Sequence, residues 1–180
     1  YEHLIYTQQY VTALDGGRSS TFGSRYIFAK IERSTFATQF RMNFTFKPDM
    51  NLDVYAEPFA ASGRYYDYGE LSAPGSRQLL TFGTLGTFLQ RQPDGDLLVS
   101  TRSAAFTIAN DDFNVRSFRS NVVLRWEWRP GSTLYLVWQQ DRQAQNLIGT
   151  KVGLGDMFNS LTKPGTNILL IKMSFWLPVL

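Results

Sequence analysis

The sequence predicts an all-β protein, an antiparallel up-and-down transmembrane β-barrel, with its 180 residues forming part of a larger barrel. Three observations support this prediction. Apolar and polar residues alternate along several long segments, which is typical of strands with two unlike faces. Short turns and long irregular segments fall at opposite ends of these strands, as they do in outer-membrane barrels. Finally, the chain contains 14 Phe, 9 Tyr and 4 Trp although its mean hydropathy is only −0.21.

Two strands are predicted near the start of the chain. The first is His3–Leu14, which ends at the strong turn signal Asp15-Gly16-Gly17. The second is Ser24–Ile31, which ends near Glu32-Arg33-Ser34. A loop of two residues and a loop of three residues both fit this second turn, so the facing of the second strand stays open.

The clearest strand is Thr35–Lys47, in which apolar and polar residues alternate with a period of two. At about 3.3 Å per residue it is roughly 40 Å long. Pro48–Met50 then breaks the pattern, and Asn51–Ala61 forms the next strand. A three-residue loop makes the apolar faces of the two strands coincide, and it places Arg41 opposite Glu57.

The same parity argument applies to a hairpin near the C-terminus. The strand Asn114–Arg129 is followed by the turn Pro130-Gly131-Ser132 and by a strand that begins near Leu134. A three-residue loop sets Trp128 beside Leu134 and Asn121 opposite Asp141. The last predicted strand is Thr166–Pro178, whose alternation is weaker.

Two long segments, 62–112 and 143–165, are predicted to be external loops at the end of the strands that lies away from the short turns. Shorter strand-like runs at Gln78–Gln90 and Asp96–Ile108 suggest an extra hairpin inside the first segment. The chain then has seven strands, or nine with this hairpin. Since single-chain bacterial barrels usually have an even number of strands, we expect residues 1–180 to be a C-terminal fragment of one barrel.

Strand parity divides the candidate functional residues into two sets. The first set is predicted to face lipid and consists of Phe40, Phe44, Phe46, Leu124, Trp126, Trp128, Leu136 and Trp138. The second set is polar, is predicted to face the lumen, and consists of Arg41, Asp53, Glu57, Arg119, Arg125, Glu127, Asp141 and Lys172. Trp126 and Trp128 lie beside a short turn, where an interfacial aromatic girdle is expected.

Three segments resemble a known family. They are Phe44–Leu52 with Tyr55–Phe59, Phe118–Gln140, and Asn167–Trp176, and the middle one is the most specific. Together they resemble the C-terminal part of the bacterial "domain of unknown function 5916" family, over roughly residues 25–176. In that family a module similar to carbohydrate-binding family nine precedes a large outer-membrane-type barrel. The resemblance implies a location and an architecture, and a link to carbohydrate handling through a module that these residues lack; it implies no catalytic residue.

The composition argues against several classes of function. The chain has no Cys and only one His, His3, so we expect neither thiol nor imidazole chemistry, no metal site and no cofactor. The net charge of +3 is too small to indicate a partner made of nucleic acid. No apolar run is long enough for a membrane helix. A hydrolase that used Asp53 and Glu57 is a weaker possibility, because an ion pair between Arg41 and Glu57 explains that carboxylate.

The sequence therefore predicts a non-enzymatic protein of the bacterial outer membrane that serves as a pore, an anchor or a conduit. Its partners would be outer-membrane lipid and a glycan or periplasmic partner whose identity the sequence does not give. The alternative is a soluble β-barrel that binds a small apolar ligand inside, with its charges facing outward.

Overall fold

The computed structural model describes residues 1–177, and it is built from antiparallel strands. The predicted all-β antiparallel fold is confirmed. The strands are β1 (Glu2–Asp15), β2 (Ser24–Ala37), β3 (Phe40–Lys47), β4 (Met50–Leu71), β5 (Leu79–Thr81), β6 (Phe88–Arg91), β7 (Leu97–Ser100), β8 (Ala105–Ile108), β9 (Phe113–Arg129), β10 (Ser132–Asn146) and β11 (Gly165–Ser174). A 3-10 turn, Ser19–Thr21, and one short helix, α1 (Leu154–Ser160), complete the regular structure.

Within the described residues 1–177, the main sheet is open and does not close on itself. Its strand order is β1-β2-β4-β9-β10-β11, β3 and β5 also pair with β4, and no closed barrel is found in this part of the chain. The last strand ends at Ser174, and Pro178, where the predicted strand ended, lies outside the described residues. No helix among the described residues is long and apolar enough to cross a membrane.

Strands β2 and β3 form one continuous line along β4. Ala37 pairs with Phe59 and Phe40 pairs with Ala56, so the register is the same on both sides of the gap. At the gap the N–H of Thr38 donates to the carbonyl of Pro58 at 3.4 Å. Proline has no N–H with which to return this bond, and the ladder is interrupted there. The turn predicted near Glu32-Arg33-Ser34 is therefore wrong, because this stretch lies inside a strand.

Both predicted hairpins exist, but their registers differ from the prediction by two residues. Phe44 pairs with Leu52, and Trp126 pairs with Leu134. In each hairpin the turn has two residues and the first strand carries a β-bulge, which leaves Phe46 and Trp128 as the extra residues. A two-residue turn and a one-residue bulge together preserve the predicted parity while they shift the absolute register.

The same shift corrects the predicted partners. Arg41 lies opposite Tyr55 instead of Glu57, and Asn121 lies opposite Gln139 instead of Asp141.

The two predicted external loops are shorter than predicted. β4 continues through residues 62–71, and β10 continues to Asn146. Alternation is hidden in the first of these regions because Asp67, with φ of 51°, lies in a bulge that reverses the parity of β4. After this bulge Tyr68 and Glu70 lie on the face that the odd-numbered residues of β4 occupy before it.

Two layers cover the main sheet at the end that carries the long connections, which we call the loop end. On one face, a separate three-stranded sheet of β6, β7 and β8 packs its Val99 and Ile108 against Ile27, Ala29 and Tyr68. We call it the mini-sheet. It replaces the predicted extra hairpin, because the run 78–90 is divided into β5 and β6 and the run 96–108 into β7 and β8. On the other face lies the segment 147–163, which includes α1. The opposite end of the sheet, the turn end, carries the turns Pro48-Asp49 and Pro130-Gly131 and has neither layer.

A buried hydroxyl pair attaches the segment 147–163 to the main sheet. The Oγ atoms of Ser34 and Ser62 are 2.9 Å apart, and the N–H of Val152 donates to the Ser34 Oγ at 3.0 Å. Ser34 and Val152 are both buried. A buried N–H that loses its acceptor costs about 1–3 kcal/mol, so this contact is an important attachment point.

We predict that Ser34→Ala increases amide hydrogen exchange in the segment 147–163 at least tenfold, because the Val152 N–H loses its acceptor. Ser62→Ala is the matched control, since it removes a hydroxyl from the same pair but keeps that acceptor. Exchange measured by mass spectrometry on peptides from this segment tests the prediction. Equal exchange in the two variants would show that the contact with Val152 does not hold the segment.

Candidate functional site: an apolar face and a polar face

The candidate site is formed by the two faces of the main sheet near the turn end, where β3, β4, β9, β10 and β11 lie side by side. Residues directly opposite each other on neighbouring strands share a face, so the register assigns each side chain. We call one side the apolar face; its central row is Phe44, Leu52, Leu124, Leu136 and Ile171. We call the other side the polar face; one of its rows is Arg41, Tyr55, Asn121 and Gln139.

All eight residues predicted to face lipid lie on the apolar face. The register places six of them there directly: Phe40, Phe44, Leu124, Trp126, Leu136 and Trp138. The two bulged residues are placed by edge-to-face ring contacts. Phe46 contacts Phe44 with ring centroids 4.7 Å apart, and Trp128 contacts Phe175 at 5.4 Å. The prediction of parity thus identified one continuous surface.

The apolar face is largely uncovered by the described residues. Phe44 is 49% exposed, Ile171 is 62% exposed and Leu169 is 71% exposed. Contiguous apolar surface of this extent is unusual on a soluble monomer and marks an interaction surface. Whatever covers this surface therefore does not come from residues 1–177.

The apolar face has a defined border on each side. Toward the loop end it stops at a polar row, in which Ser120 donates to Gln140 at 3.1 Å and Gln140 donates to Asn167 at 2.8 Å. Toward the turn end it finishes with Trp126 and Trp128. The seven residues from Val122 to Trp128 span roughly 20 Å of strand.

All eight residues predicted to face the lumen lie on the polar face. They comprise four basic and four acidic side chains: Arg41, Arg119, Arg125, Lys172, Asp53, Glu57, Glu127 and Asp141. Four uncharged residues, Asn43, Tyr55, Asn121 and Gln139, lie on this face with the charged ones, as the parity of their strands predicts.

The predicted ion pair between Arg41 and Glu57 is not formed. The guanidinium of Arg41 lies over the ring of Tyr55, 5.4 Å from its centroid. Glu57 lies opposite Arg119 and accepts a hydrogen bond of 2.7 Å from the Tyr55 hydroxyl. Arg119 in turn forms an ion pair with Asp141 at 3.8 Å. The charges are therefore connected along a row across the strands.

The other charged residues of the polar face also have local partners. Asp53 accepts a hydrogen bond from Asn43, and Arg125 lies 3.6 Å from Glu127. The ammonium of Lys172 lies 6.0 Å from the centroid of the Tyr135 ring. Exposed pairs of this kind contribute only about 0–1 kcal/mol each, so they make the face hydrophilic more than they stabilise it.

His3, Asp53 and Glu57 were the candidates for acid–base chemistry in the sequence. His3 lies away from the polar face, where its Nε2 contacts Glu32 at 2.8 Å. The carboxylates of Asp53 and Glu57 each have a hydrogen-bonding neighbour on the polar face. Among residues 1–177 there is no cluster of three metal-ligating side chains. The polar face is suited to contact with water and polar solutes.

The mini-sheet lies on the same side of the main sheet as the polar face. Ile31 and Tyr65 pair directly, and alternation along β2 places Ile27 and Ala29 with them, beneath the mini-sheet. Burial between the two sheets raises the pKa of the Tyr68 hydroxyl well above its usual value. Toward the loop end, the polar face therefore ends at the mini-sheet.

Charged pairs connect β2 to neighbouring segments at the loop end. Lys30 contacts Asp67 at 2.8 Å, and this partner raises the pKa of the lysine. Glu32 accepts hydrogen bonds from Lys151, at 2.7 Å, and from His3, which together lower the pKa of that carboxyl. The Lys151 contact adds a second attachment of the segment 147–163 to β2.

The fold and the two faces define an antiparallel β-sheet protein whose long strands separate a broad apolar surface from a polar one. A family model described as "Domain of unknown function (DUF5916)" matches residues 2–180, and the chain belongs to this family. The resemblance found in the sequence is therefore confirmed. Neither the curated proteins nor the solved structures gave a match.

Proposed function

We propose that this chain forms part of the wall of a transmembrane β-barrel in the bacterial outer membrane, and that the barrel is a pore for polar solutes. In this arrangement the apolar face contacts lipid and the polar face lines a water-filled interior. The short turns lie on the periplasmic side, and the mini-sheet and the segment 147–163 lie on the external side. The proposal concerns residues 1–177 as one portion of the barrel wall.

The observation that carries the proposal is the apolar face itself. It extends without interruption over five adjacent strands, it is uncovered by the described residues, and it is bordered by a polar row and by Trp126 and Trp128. Its seven residues along the strand make up most of the roughly 9–11 residues with which a tilted strand crosses a membrane. Tryptophans at one border fit the aromatic girdle of such proteins.

The polar face supports an aqueous interior. Four basic and four acidic side chains would be costly against lipid, since an arginine at the bilayer midplane costs about 2–4 kcal/mol. Their side chains are also exposed, with Arg119 68% and Asp141 58% accessible to solvent. In a water-filled pore, water molecules would hydrogen-bond to these charged groups.

The open edges of the sheet require partner strands in a membrane. β3 and β11 expose unpaired backbone N–H and C=O groups, and each such group costs several kcal/mol in hydrocarbon. The proposal therefore includes additional strands that pair with both edges and close the barrel. The alternation of apolar and polar side chains on β3 and β11 determines the register in which such strands would pair with them.

We expect Phe44→Arg to lower the free energy of unfolding from lipid vesicles by about 2–4 kcal/mol, because it places a charge in the middle of the lipid-facing band. Thr45→Arg is the matched control, since the adjacent residue lies on the polar face, and we expect a change below about 1 kcal/mol. Denaturant unfolding in vesicles, followed by tryptophan fluorescence, measures both. Equal losses for the two variants would refute the assignment of faces.

Cysteine labelling distinguishes the two topologies cleanly, because the chain has no native Cys. In vesicles, Asn121→Cys and Gln139→Cys on the polar face should react with a membrane-impermeant maleimide. Leu124→Cys and Leu136→Cys on the apolar face should react only with a lipid-soluble reagent. The reverse pattern in detergent-free solution would indicate a soluble barrel with an apolar interior instead.

The pore should conduct ions in planar bilayers with weak selectivity, because the eight charged residues of the polar face balance. Replacing Arg119 and Arg125 by Gln should shift the reversal potential toward cation selectivity, since Asp141 and Glu127 lose their partners. Arg77→Gln, outside the polar face, should leave the reversal potential unchanged. Normal insertion without any current would identify an anchor and exclude a pore.

A further inference from the structure

A separate cleft of about 530 Å³ lies at the loop end. It is lined by the turn between β1 and β2, by β5, and by two loops at one end of the mini-sheet, residues 84–87 and 101–103. We call it the arginine cleft because Arg18, Arg25 and Arg102 line it, together with one carboxylate, Glu70. Its volume lies within the range of about 300–1,000 Å³ that is usual for sites of small ligands.

The arginine cleft holds more positive than negative charge. Arg25 donates to Glu70 at 2.6 Å, and both side chains are only 11% exposed. Arg18 approaches the other oxygen of the same carboxylate at 3.6 Å and remains 52% exposed. Arg102 has no carboxylate within 4.0 Å in residues 1–177. One carboxylate therefore faces three guanidinium groups.

The local backbone positions Arg102 at the mouth of the cleft. Its guanidinium lies over Gly86, where a Cβ atom would be 3.6 Å from Nε. Gly86 has φ of 82°, a conformation that disfavours other residues, so the turn supports this close approach. The loop 101–103 carries Arg102 and is closed by hydrogen bonds between Thr101 and Ala104.

The other wall of the cleft is apolar. Leu80 and Phe82 line it, Phe82 is buried, and Leu85 lies at the rim with 93% exposure. A ligand that fits both walls carries an oxyanion at one end and an apolar body at the other. Arginine suits the oxyanion because its planar fork of N–H donors matches carboxylate and phosphate groups.

We infer that the arginine cleft binds a small anionic molecule, which carries a carboxylate or phosphate group on an apolar body. Arg102 and Arg18 bind the oxyanion, the pair of Arg25 and Glu70 forms the charged floor, and Leu80, Phe82 and Leu85 contact the body. The site lies outside the apolar face and the polar face, so the inference does not depend on the proposed pore.

The test is calorimetric titration of the intact, detergent-solubilised protein at low salt with benzoate, phenyl phosphate and neutral benzamide. We expect both anions to bind at least tenfold more tightly than benzamide, and a preference between them identifies the favoured oxyanion. Arg102→Gln and Arg18→Gln, which lie on different loops, should each weaken benzoate binding at least tenfold. Glu70→Gln should tighten it severalfold, because it removes the competing carboxylate.

Arg77→Gln is the control for a general loss of positive charge, since Arg77 is exposed and does not line the cleft. Its affinity for benzoate should equal that of the unaltered protein. The inference is overturned if neither benzoate nor phenyl phosphate binds at millimolar concentration, if benzamide binds equally well, or if Arg77→Gln weakens binding as much as Arg102→Gln does. Circular dichroism of each variant establishes that the fold is retained.

Discussion

The structure depends on one constraint, the shared register of the backbone ladder across β3, β4, β9, β10 and β11. Because residues directly opposite each other share a face, this register determines on which face each side chain of the turn end lies. A slip of one residue would move the aromatic residues to the polar side and the charges to the apolar side. The bulges at Phe46 and Trp128 matter for the same reason, since each compensates for the length of its turn.

The loop end differs from the turn end in that covering layers pack against both faces of the sheet. There the sheet is buried on both sides, and small residues such as Ala29, Ala60 and Ser62 allow the covering layers to approach closely. The mini-sheet contributes branched residues to one side, and the segment 147–163 contributes hydrogen bonds and charged pairs to the other. A single long strand, β4, therefore passes from a region with a packed core into a region with two open faces.

The sequence allowed the parity of the strands to be predicted, but not their absolute register. Phe44 and Trp126 were correctly placed on one common face, because alternation depends only on whether a residue number is odd or even. Bulges leave no clear trace in such a pattern, so the cross-strand partners of Arg41 and Asn121 were wrong. A strand was also divided at Glu32-Arg33-Ser34, where polar residues suggested a turn although the backbone remains extended.

Other features lay beyond sequence reasoning because they depend on contacts between distant segments. The bulge at Asp67 reverses alternation, which made residues 62–71 resemble a loop. The arginine cleft was missed for a similar reason. Arg18 and Arg25 are seven residues apart and lie beside the turn between β1 and β2, whereas Arg102 is distant in the chain, and only the packing of the mini-sheet brings it to the same cleft. Face assignment is thus a local property, whereas a binding cleft is a property of tertiary structure.

The missing N–H of Pro58 has a consequence for cooperativity. It removes a ladder bond close to the boundary between the loop end, with its covering layers, and the turn end, with its two uncovered faces. Regions that differ in packing open as separate cooperative units, and a gap in the ladder favours a division at that point. The long strand line of β2 and β3 therefore joins two units of unequal stability, and the covering layers of the loop end can fluctuate while the ladder of the turn end stays closed.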